Sequence, residues 1–389
     1  MARGPIVALC ALLIASLFGA KAEAQAPKWC DMLHHRVSVE VRPAYHMVSH
    51  NAMYVDGQPL NSTLSLHTRY GFSFSGDSRL GKLFPTSYQG VGIATYSYFS
   101  HERMGTPMAI YLYQGARIAD LTPCLAIGYE WNLGFSWGWH PNEAMNSRNN
   151  VMINVAIPLT WRIAPHWELA LTPDYTHFSN GDTHFSNSGS NMFGVRIGAT
   201  YLFSDEQSEA SARRFISTSD EWGGKSFGKR MTYDIVAYGG WRADRFIENG
   251  DFHLINEALP LGGINFQPTY HLNDYFGLGA SLDLQADSSL NLYDGINDDK
   301  GNTVGFSRPP LWQQLETGIS LRGEISAPIF TVGVGIGFNI LRTGYDYSPI
   351  YTTFSLKTHL SERLFLYIGY RFNSTQYTHN LMYGIGIRL

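Results

Sequence analysis

Apolar and polar residues alternate with a period of two in segments of about ten residues, and these segments recur along nearly the whole sequence. Because successive side chains of a β-strand point to opposite faces, each segment has one apolar face and one polar face. This pattern is typical of strands that separate lipid from the interior of a barrel. It predicts an all-β protein, a transmembrane antiparallel β-barrel with about eight strands in each half of the chain.

The predicted strands form two groups separated by a polar linker. The first group comprises residues 36–47, 64–73, 90–98, 107–114, 124–137, 150–162, 166–179 and 190–203. The second comprises residues 231–243, 261–271, 274–286, 312–324, 328–340, 350–359, 363–372 and 379–389. The linker, residues 204–230, is long for a periplasmic turn, which favours two small barrels over one barrel of about sixteen strands.

Composition agrees with a membrane barrel and argues against one class of partner. Aromatic residues make up 14% of the chain, charged residues only 15%, and glycine occurs 39 times. The formal net charge is −4, and no basic stripe is present that could neutralise phosphates. Nucleic acid is therefore not expected as a partner.

The first residues have the pattern of a secretory signal. Arg3 precedes an apolar run from Ile6 to Ala20, and small residues suited to a signal-peptidase site follow near Ala24 or Ala26. We expect a signal peptide that is removed, without a lipid anchor on the mature chain. The expected organisation is a signal peptide at 1–24, a barrel at 25–203, the linker at 204–230 and a second set of about eight strands at 231–389 without a catalytic motif.

The mature chain keeps two cysteines, Cys30 before the first predicted strand and Cys124 at the start of the fifth. Counting strands from a periplasmic N-terminus places both at the periplasmic end of the barrel. This compartment is oxidising, so an even pair of thiols can form a bridge. We predict a Cys30–Cys124 disulfide, with two separate thiols as the alternative.

Connection lengths give the orientation of the strands. Short connections such as "IAPHW" and "HLND" alternate with long ones, and barrels of this class have short periplasmic turns and long outer loops. With both termini periplasmic, the connection after the seventh strand is an outer one. It holds the segment "DYTHFSNGDTHFSNSGSN", residues 174–191, in which His-Phe-Ser-Asn occurs twice.

The direction of the side chains decides what the repeated segment can do. On the seventh strand the apolar row continues through His177 and Ser179, and on the eighth strand it includes Asn191. Three polar side chains are thus expected on the lipid-facing side, where polar groups are energetically costly and often have a function. One interpretation is a set of interfacial polar residues at the headgroup boundary. The other is a nucleophile, a general base and an orienting amide.

The segment resembles the PagL-type lipid A 3-O-deacylases, also described as acyloxyacyl hydrolases. The resemblance is strongest over residues 175–203 and rests on the lipid-facing His-x-Ser-Asn motif, here His177-Phe178-Ser179-Asn180. It implies an eight-stranded outer-membrane barrel that hydrolyses an ester-linked acyl chain of lipid A. Ser179 would be the nucleophile and His177 the base.

The resemblance also implies an oxyanion hole made by Asn187 and a backbone amide near Gly181 or Asp182. The second His-Phe-Ser-Asn copy lies in the loop that supplies this hole and is not expected to be a second active pair. The chain departs from the family at one position, since Asn191 stands where the family has its orienting Glu. The family pattern is not found beyond residue 203.

The sequence therefore predicts an outer-membrane serine esterase without a cofactor or a metal, acting on lipid A or lipopolysaccharide of the outer leaflet. A homodimer is left open. The first alternative is a non-enzymatic porin or scaffold barrel in which the motif is a relic. A second is a phospholipase-type barrel, a class that uses calcium; the acidic run "DGINDDK", residues 294–300, is interpreted instead as a solvated loop.

Overall fold

A computed structural model describes the following residues of the chain: 33–48, 54–55, 57–76, 78–142, 145–181, 183, 189–204, 230–248, 251–292, 307–341, 349–373 and 379–389. The expected signal peptide lies outside these ranges. So do Cys30, residues 294–300 and nearly all of the linker.

The first half of the chain forms one antiparallel sheet that closes on itself. Its strands are β1 (Leu33–Met47), β4 (Ser62–Phe74), β5 (Ser87–Ser97), β6 (Gly105–Asp120), β7 (Leu125–Trp139), β8 (Asn149–Ala156), β9 (Leu159–Ala164), β10 (Trp167–Ser179) and β11 (Ser190–Leu202). Between them lie the short hairpin β2 (Tyr54–Val55) and β3 (Gln58–Pro59), and the helices α1 (Arg79–Leu83) and α2 (His101–Met104). Closure occurs because β11 pairs with both β10 and β1.

Strands β8 and β9 occupy one position in the barrel wall. Both pair with β7 on one side and with β10 on the other. The interruption between them contains Pro158, whose ring removes the N–H that a central strand would donate to its neighbour. Its carbonyl still accepts from the Gly128 N–H at 2.9 Å. The predicted strand 150–162 is therefore one wall position broken at a proline.

The second half forms a separate closed barrel. Its strands are β12 (Met231–Glu248), β13 (Asp251–His271), β14 (Phe276–Asp287), β15 (Leu315–Ser326), β16 (Phe330–Leu341), β17 (Ile350–His359), β18 (Leu364–Asn373) and β19 (Asn380–Arg388). Each pairs with the next, and β19 pairs with β12. A 3-10 helix, Leu311–Gln314, precedes β15. The all-β prediction is confirmed, and the preference for two barrels over one is confirmed with it.

Both barrels have an apolar outside and a polar inside. Outward side chains such as Val39, Ile93, Ile110, Ile264 and Leu321 are 43–69% exposed. Inward positions of the same strands carry buried charged and amide groups. This arrangement is the reverse of a water-soluble protein and matches a wall in contact with lipid. No helix among the described residues is both long and apolar enough to cross a membrane.

Ion pairs fill the interior of the first barrel. Three arginines and three carboxylates, all nearly inaccessible to solvent, form a connected and charge-balanced network: Glu40, Arg42, Arg69, Glu130, Asp174 and Arg196. The closest contacts are Arg42–Asp174 and Arg69–Glu130, each at 2.6 Å. A folded protein tolerates buried charges when they are paired and hydrogen-bonded. Removing one partner of such a pair is strongly destabilising. The network therefore ties β10 to β1 and β11 from within.

The second barrel is filled in the same way. Lys357 donates to Asp234 at 2.7 Å and also contacts Glu324, while Arg322 donates to both oxygens of Asp283 at 3.0 Å. These side chains are 6% exposed or less. Both interiors thus hold paired charges together with a smaller cluster of buried apolar and aromatic side chains.

Candidate active site on the outer wall

Strand β10 presents the motif residues on its lipid-facing side. Tyr175, His177 and Ser179 are partly exposed on the outer row, whereas the alternating Thr176 and Phe178 are buried inside the barrel. This direction follows from the period-two geometry of the strand and confirms the orientation predicted from the sequence. The motif lies at the end of the barrel that carries the long connections.

The register of β10 against β11 sets His177 directly opposite Asn191. Their side chains meet, with His177 Nδ1 2.7 Å from Asn191 Oδ1. When the amide oxygen faces the ring, Nδ1 must carry the proton and Nε2 keeps its lone pair. That is the tautomer a general base requires, and the expected contact between His177 and Asn191 is present.

The hydroxyl of Tyr175 donates to the same Asn191 oxygen at 2.6 Å. One amide oxygen therefore accepts two short hydrogen bonds from adjacent outward positions of β10. The Tyr175 ring also packs against Phe193, with ring centroids 5.0 Å apart. Tyr175 was not among the residues predicted from the sequence, although its place two residues before His177 on the same apolar row could have indicated it.

Ser179 lies at i+2 from His177 on the outer face, so the two Cα atoms are about 7 Å apart. Among the hydrogen bonds of the described residues, none joins the Ser179 hydroxyl to the imidazole. Hydrogen bonds of catalytic groups are often long in enzymes without substrate and shorten when it binds. The two side chains therefore share the outer face of β10, without a hydrogen bond between them in the part of the chain that the structure describes.

Gly189 fixes the other side of the imidazole. It has a positive φ of +67°, and a Cβ built on it would lie 2.9 Å from Cε1 of His177 and 3.0 Å from the Phe178 carbonyl oxygen. No side chain fits between this backbone and the ring. Glycine is therefore favoured at this position for two reasons: the backbone is left-handed, and it approaches His177 too closely for a side chain.

An apolar surface borders the motif on the side away from β11. Strand β8 pairs with β10 so that Val151 lies opposite Ser179, Ile153 opposite His177 and Val155 opposite Tyr175. Ile153 is 47% exposed and Val155 is 53% exposed. Phe135 on β7 pairs with Val151 and extends this surface. Such a wall suits contact with a hydrocarbon chain.

The inward side chains of β10 hold the outer row in place. Asp174 accepts hydrogen bonds from Arg42 at 2.6 Å and from Arg196 at 3.3 Å. Phe178, fully buried, packs edge to face against Trp139 and Tyr96 with centroids 5.0 and 5.2 Å away. Close-packed interiors resist displacement. The strand that carries His177 and Ser179 is therefore anchored by one side chain before the motif and by one within it.

Of the residues predicted for the oxyanion hole, Gly181 is within the described ranges. Gly181 is buried in a turn with φ +65°, and a Cβ there would lie 3.3 Å from Cδ2 of Leu381. Asp182 and Asn187 lie outside the described residues, as do His184 and Ser186 of the second motif copy. The oxyanion donors therefore stay a prediction.

Two further expectations concern cysteine and metal. Cys124 is exposed at the short-turn end of the first barrel, and since Cys30 is outside the described ranges the bridge stays a prediction. Within the part of the chain that the structure describes, no group of three or more His, Cys, Asp or Glu side chains could hold a metal ion.

Residues 231–389 match a family model described as the acyloxyacyl hydrolase C-terminal domain. The predicted relationship to the PagL-type family is thereby confirmed over this segment. The match covers the second barrel, so the expectation that the family pattern stops at residue 203 is wrong; the match does not include the motif on β10. No curated protein matches the chain.

Several solved barrels are similar to the chain at low identity. Neisserial surface protein A is 12% identical, with 43% of this chain and 97% of that chain covered and a TM-score of 0.30. Omp33 of Acinetobacter baumannii is 8% identical, with coverages of 92% and 99% and a TM-score of 0.16. TM-scores this low carry no argument about function. The apolar outer walls of two closed barrels, together with the family match, assign the chain to the bacterial outer membrane.

Proposed function

We propose that this outer-membrane barrel protein, whose second barrel matches the acyloxyacyl hydrolase family, is a serine esterase that removes an ester-linked acyl chain from lipid A. The observation that carries the proposal is the contact between His177 and Asn191 on the lipid-facing wall, beside the outward Ser179. A solvated or purely interfacial polar group has no need for a fixed imidazole tautomer. A base next to a hydroxyl does.

In the proposed reaction, each step is carried out by a named residue. Ser179 Oγ attacks the ester carbonyl carbon while His177 Nε2 takes the hydroxyl proton. The tetrahedral intermediate carries its negative charge on the former carbonyl oxygen, and the backbone amide at Gly181 or Asp182 together with Asn187 would donate to it. Collapse breaks the bond to the sugar oxygen, which receives the proton from the imidazolium. Water then cleaves the acyl-serine through the same base.

The surroundings of the motif favour a lipid substrate. The outward Ile153, Val155 and Phe135 form a hydrocarbon-compatible surface beside the nucleophile, and the motif lies at the outer-loop end. An acyl chain can lie along this wall while its ester reaches Ser179 from the outer leaflet. A small water-soluble ester would gain nothing from such a surface.

The replacement of the family's Glu by Asn191 alters the electrostatics of the site. A carboxylate both orients the ring and stabilises the imidazolium that forms during attack, whereas an amide only orients it. We expect slower turnover than a carboxylate would give, with the reaction course unchanged. No cofactor enters any step.

The alternative is a non-enzymatic barrel with a relic motif. The lack of a hydrogen bond between Ser179 and His177 among the described residues favours it, and so does a family match that falls on the other barrel. A porin is not favoured as this alternative. A porin interior would hold charges that face water, whereas the described interior of the first barrel holds charges that are buried in ion pairs.

Mass spectrometry of lipid A from cells with and without the protein tests the proposal. We expect loss of one ester-linked acyl chain in cells that express the wild type and none with Ser179→Ala or His177→Ala. The double variant should be no worse than either single one, since members of one catalytic unit are not additive. Ser97→Ala, an outward serine at the outer end of β5, is the matched control. Unchanged lipid A with the wild type, or full activity in Ser179→Ala, refutes the proposal.

A further inference from the structure

An orienting amide poses a problem that a carboxylate does not. The two oxygens of Glu are equivalent, so either one accepts the imidazole N–H. Asn191 has one oxygen and one NH₂ group, and rotating the amide by half a turn would make NH₂ donate to His177 Nδ1. The proton would then lie on Nε2, and the ring could no longer take a proton from Ser179. A site with Asn at this position needs something that selects the amide orientation.

Tyr175 is in position to make that selection. Its hydroxyl donates to Asn191 Oδ1 at 2.6 Å while His177 Nδ1 lies 2.7 Å from the same atom. With the amide reversed, NH₂ would donate to the phenol oxygen and the phenol proton would lose its acceptor. The residues paired opposite Tyr175 on its two neighbouring strands are Phe193 and Val155, and neither offers another acceptor from its side chain.

We propose that Tyr175 is a positioning residue that holds the Asn191 amide in the orientation that gives His177 its basic Nε2. This inference rests on the proposed function of the Ser179–His177 pair and adds a residue that the family motif does not contain. Leaving a partly buried hydroxyl proton unpaired disfavours the reversed amide by roughly 5- to 100-fold. A carboxylate needs no such residue, because its two oxygens are equivalent. Asn191 does, and Tyr175 fixes which end of its amide faces His177.

The test compares Tyr175→Phe in two backgrounds of the full-length protein, assayed on purified lipid A in detergent. Phenylalanine keeps the ring contact with Phe193, which has centroids 5.0 Å apart, and removes only the hydroxyl. In the wild-type background we expect kcat to fall by roughly tenfold with KM unchanged. In the Asn191→Asp background, where the side chain is isosteric and both oxygens accept, Tyr175→Phe should change kcat by no more than about twofold.

Tyr45→Phe is the matched control. Tyr45 lies on the outer row of β1 and pairs with Phe193 from the other side, so the two tyrosines flank the same residue. No change is expected in this variant. Equal losses of activity from Tyr175→Phe in both backgrounds would assign the hydroxyl a packing role and overturn the proposal. No loss in either background would also overturn it.

A measurement of the tautomer separates this inference from the proposed function. Nitrogen NMR of histidine-labelled protein should show His177 protonated at Nδ1 in the wild type and a mixture of the two neutral tautomers in Tyr175→Phe. If the wild type proves inactive on lipid A, the esterase proposal fails while this measurement still decides the role of Tyr175. An unchanged tautomer in Tyr175→Phe overturns the inference whatever the activity.

Discussion

Gly189→Ala tests how closely the backbone confines the imidazole of His177, the proposed general base. The new Cβ would lie 2.9 Å from His177 Cε1 and 3.0 Å from the Phe178 carbonyl oxygen. Carbon atoms in contact normally lie about 3.5–4.0 Å apart, so the ring or the backbone must move by roughly 0.6–1 Å. The Phe178 carbonyl belongs to a paired strand, and the imidazole, held on its other side by one hydrogen bond, is the part that yields.

A displacement of this size is large for a reacting group. Misplacing a catalytic group by about 1 Å can cost about 100-fold in rate, and we expect kcat to fall by about 10- to 100-fold. Alanine at a φ of +67° also costs about 1–2 kcal/mol of folding free energy, whatever the ring does. The two effects must be separated before the loss of rate is assigned to His177.

Gly57→Ala is the control that separates the cost of alanine at a positive φ from the displacement of the imidazole. Gly57 has a similar φ of +74°, but nothing lies within 4 Å of a Cβ built there. Both variants should lose similar unfolding free energy in urea titrations in lipid vesicles, whereas only Gly189→Ala should lose turnover on lipid A. If Gly189→Ala turns over within about twofold of the wild type, the glycine does not set the position of the imidazole and the reasoning is wrong.

Three other predictions address separate parts of the molecule. Asn191→Leu should lower turnover by about one to several orders of magnitude without loss of the heat-modifiable folded form on gels, because the imidazole loses its orienting partner; turnover at the wild-type rate would exclude this role. Asp174→Ala should lower the free energy of unfolding by about 3–5 kcal/mol in urea titrations, since it leaves buried arginines without their carboxylate; Asp120→Ala, at a partly exposed ion pair, should change it little. Cys30 and Cys124 should resist alkylation in non-reduced protein, and two labelled thiols in mass spectrometry would contradict the predicted bridge.

Much of the barrel could be predicted from the sequence because alternation is local. A strand that faces lipid and lumen in turn shows this in its own residues, so the positions of the strands and the outward direction of His177 and Ser179 followed directly. The pairing of His177 with Asn191 also followed, since both lie near a hairpin end on rows of the same parity. These features depend on one strand or on one hairpin.

The features that were missed depend on contacts between atoms. The break at Pro158 leaves the alternation on both sides intact, so the pattern shows one strand where the structure has two. The approach of Gly189 to the His177 ring depends on a loop conformation, and the hydroxyl of Tyr175 bonds to a side chain on the next strand. The family match on residues 231–389 was missed because that segment contains no His-x-Ser-Asn sequence like the one on β10.

The outward position of Ser179 has a kinetic consequence. In the proposed reaction, enzyme and substrate would meet by diffusing in the plane of the membrane, and both products would stay in the same leaflet. In the part of the chain that the structure describes, Ser179 is partly exposed on the outer wall, so a lipid can approach its hydroxyl from the side. The quantity that governs the rate is then the mole fraction of lipid A in the leaflet or micelle rather than its bulk concentration. Adding inert detergent at a constant amount of lipid A should slow turnover by surface dilution alone.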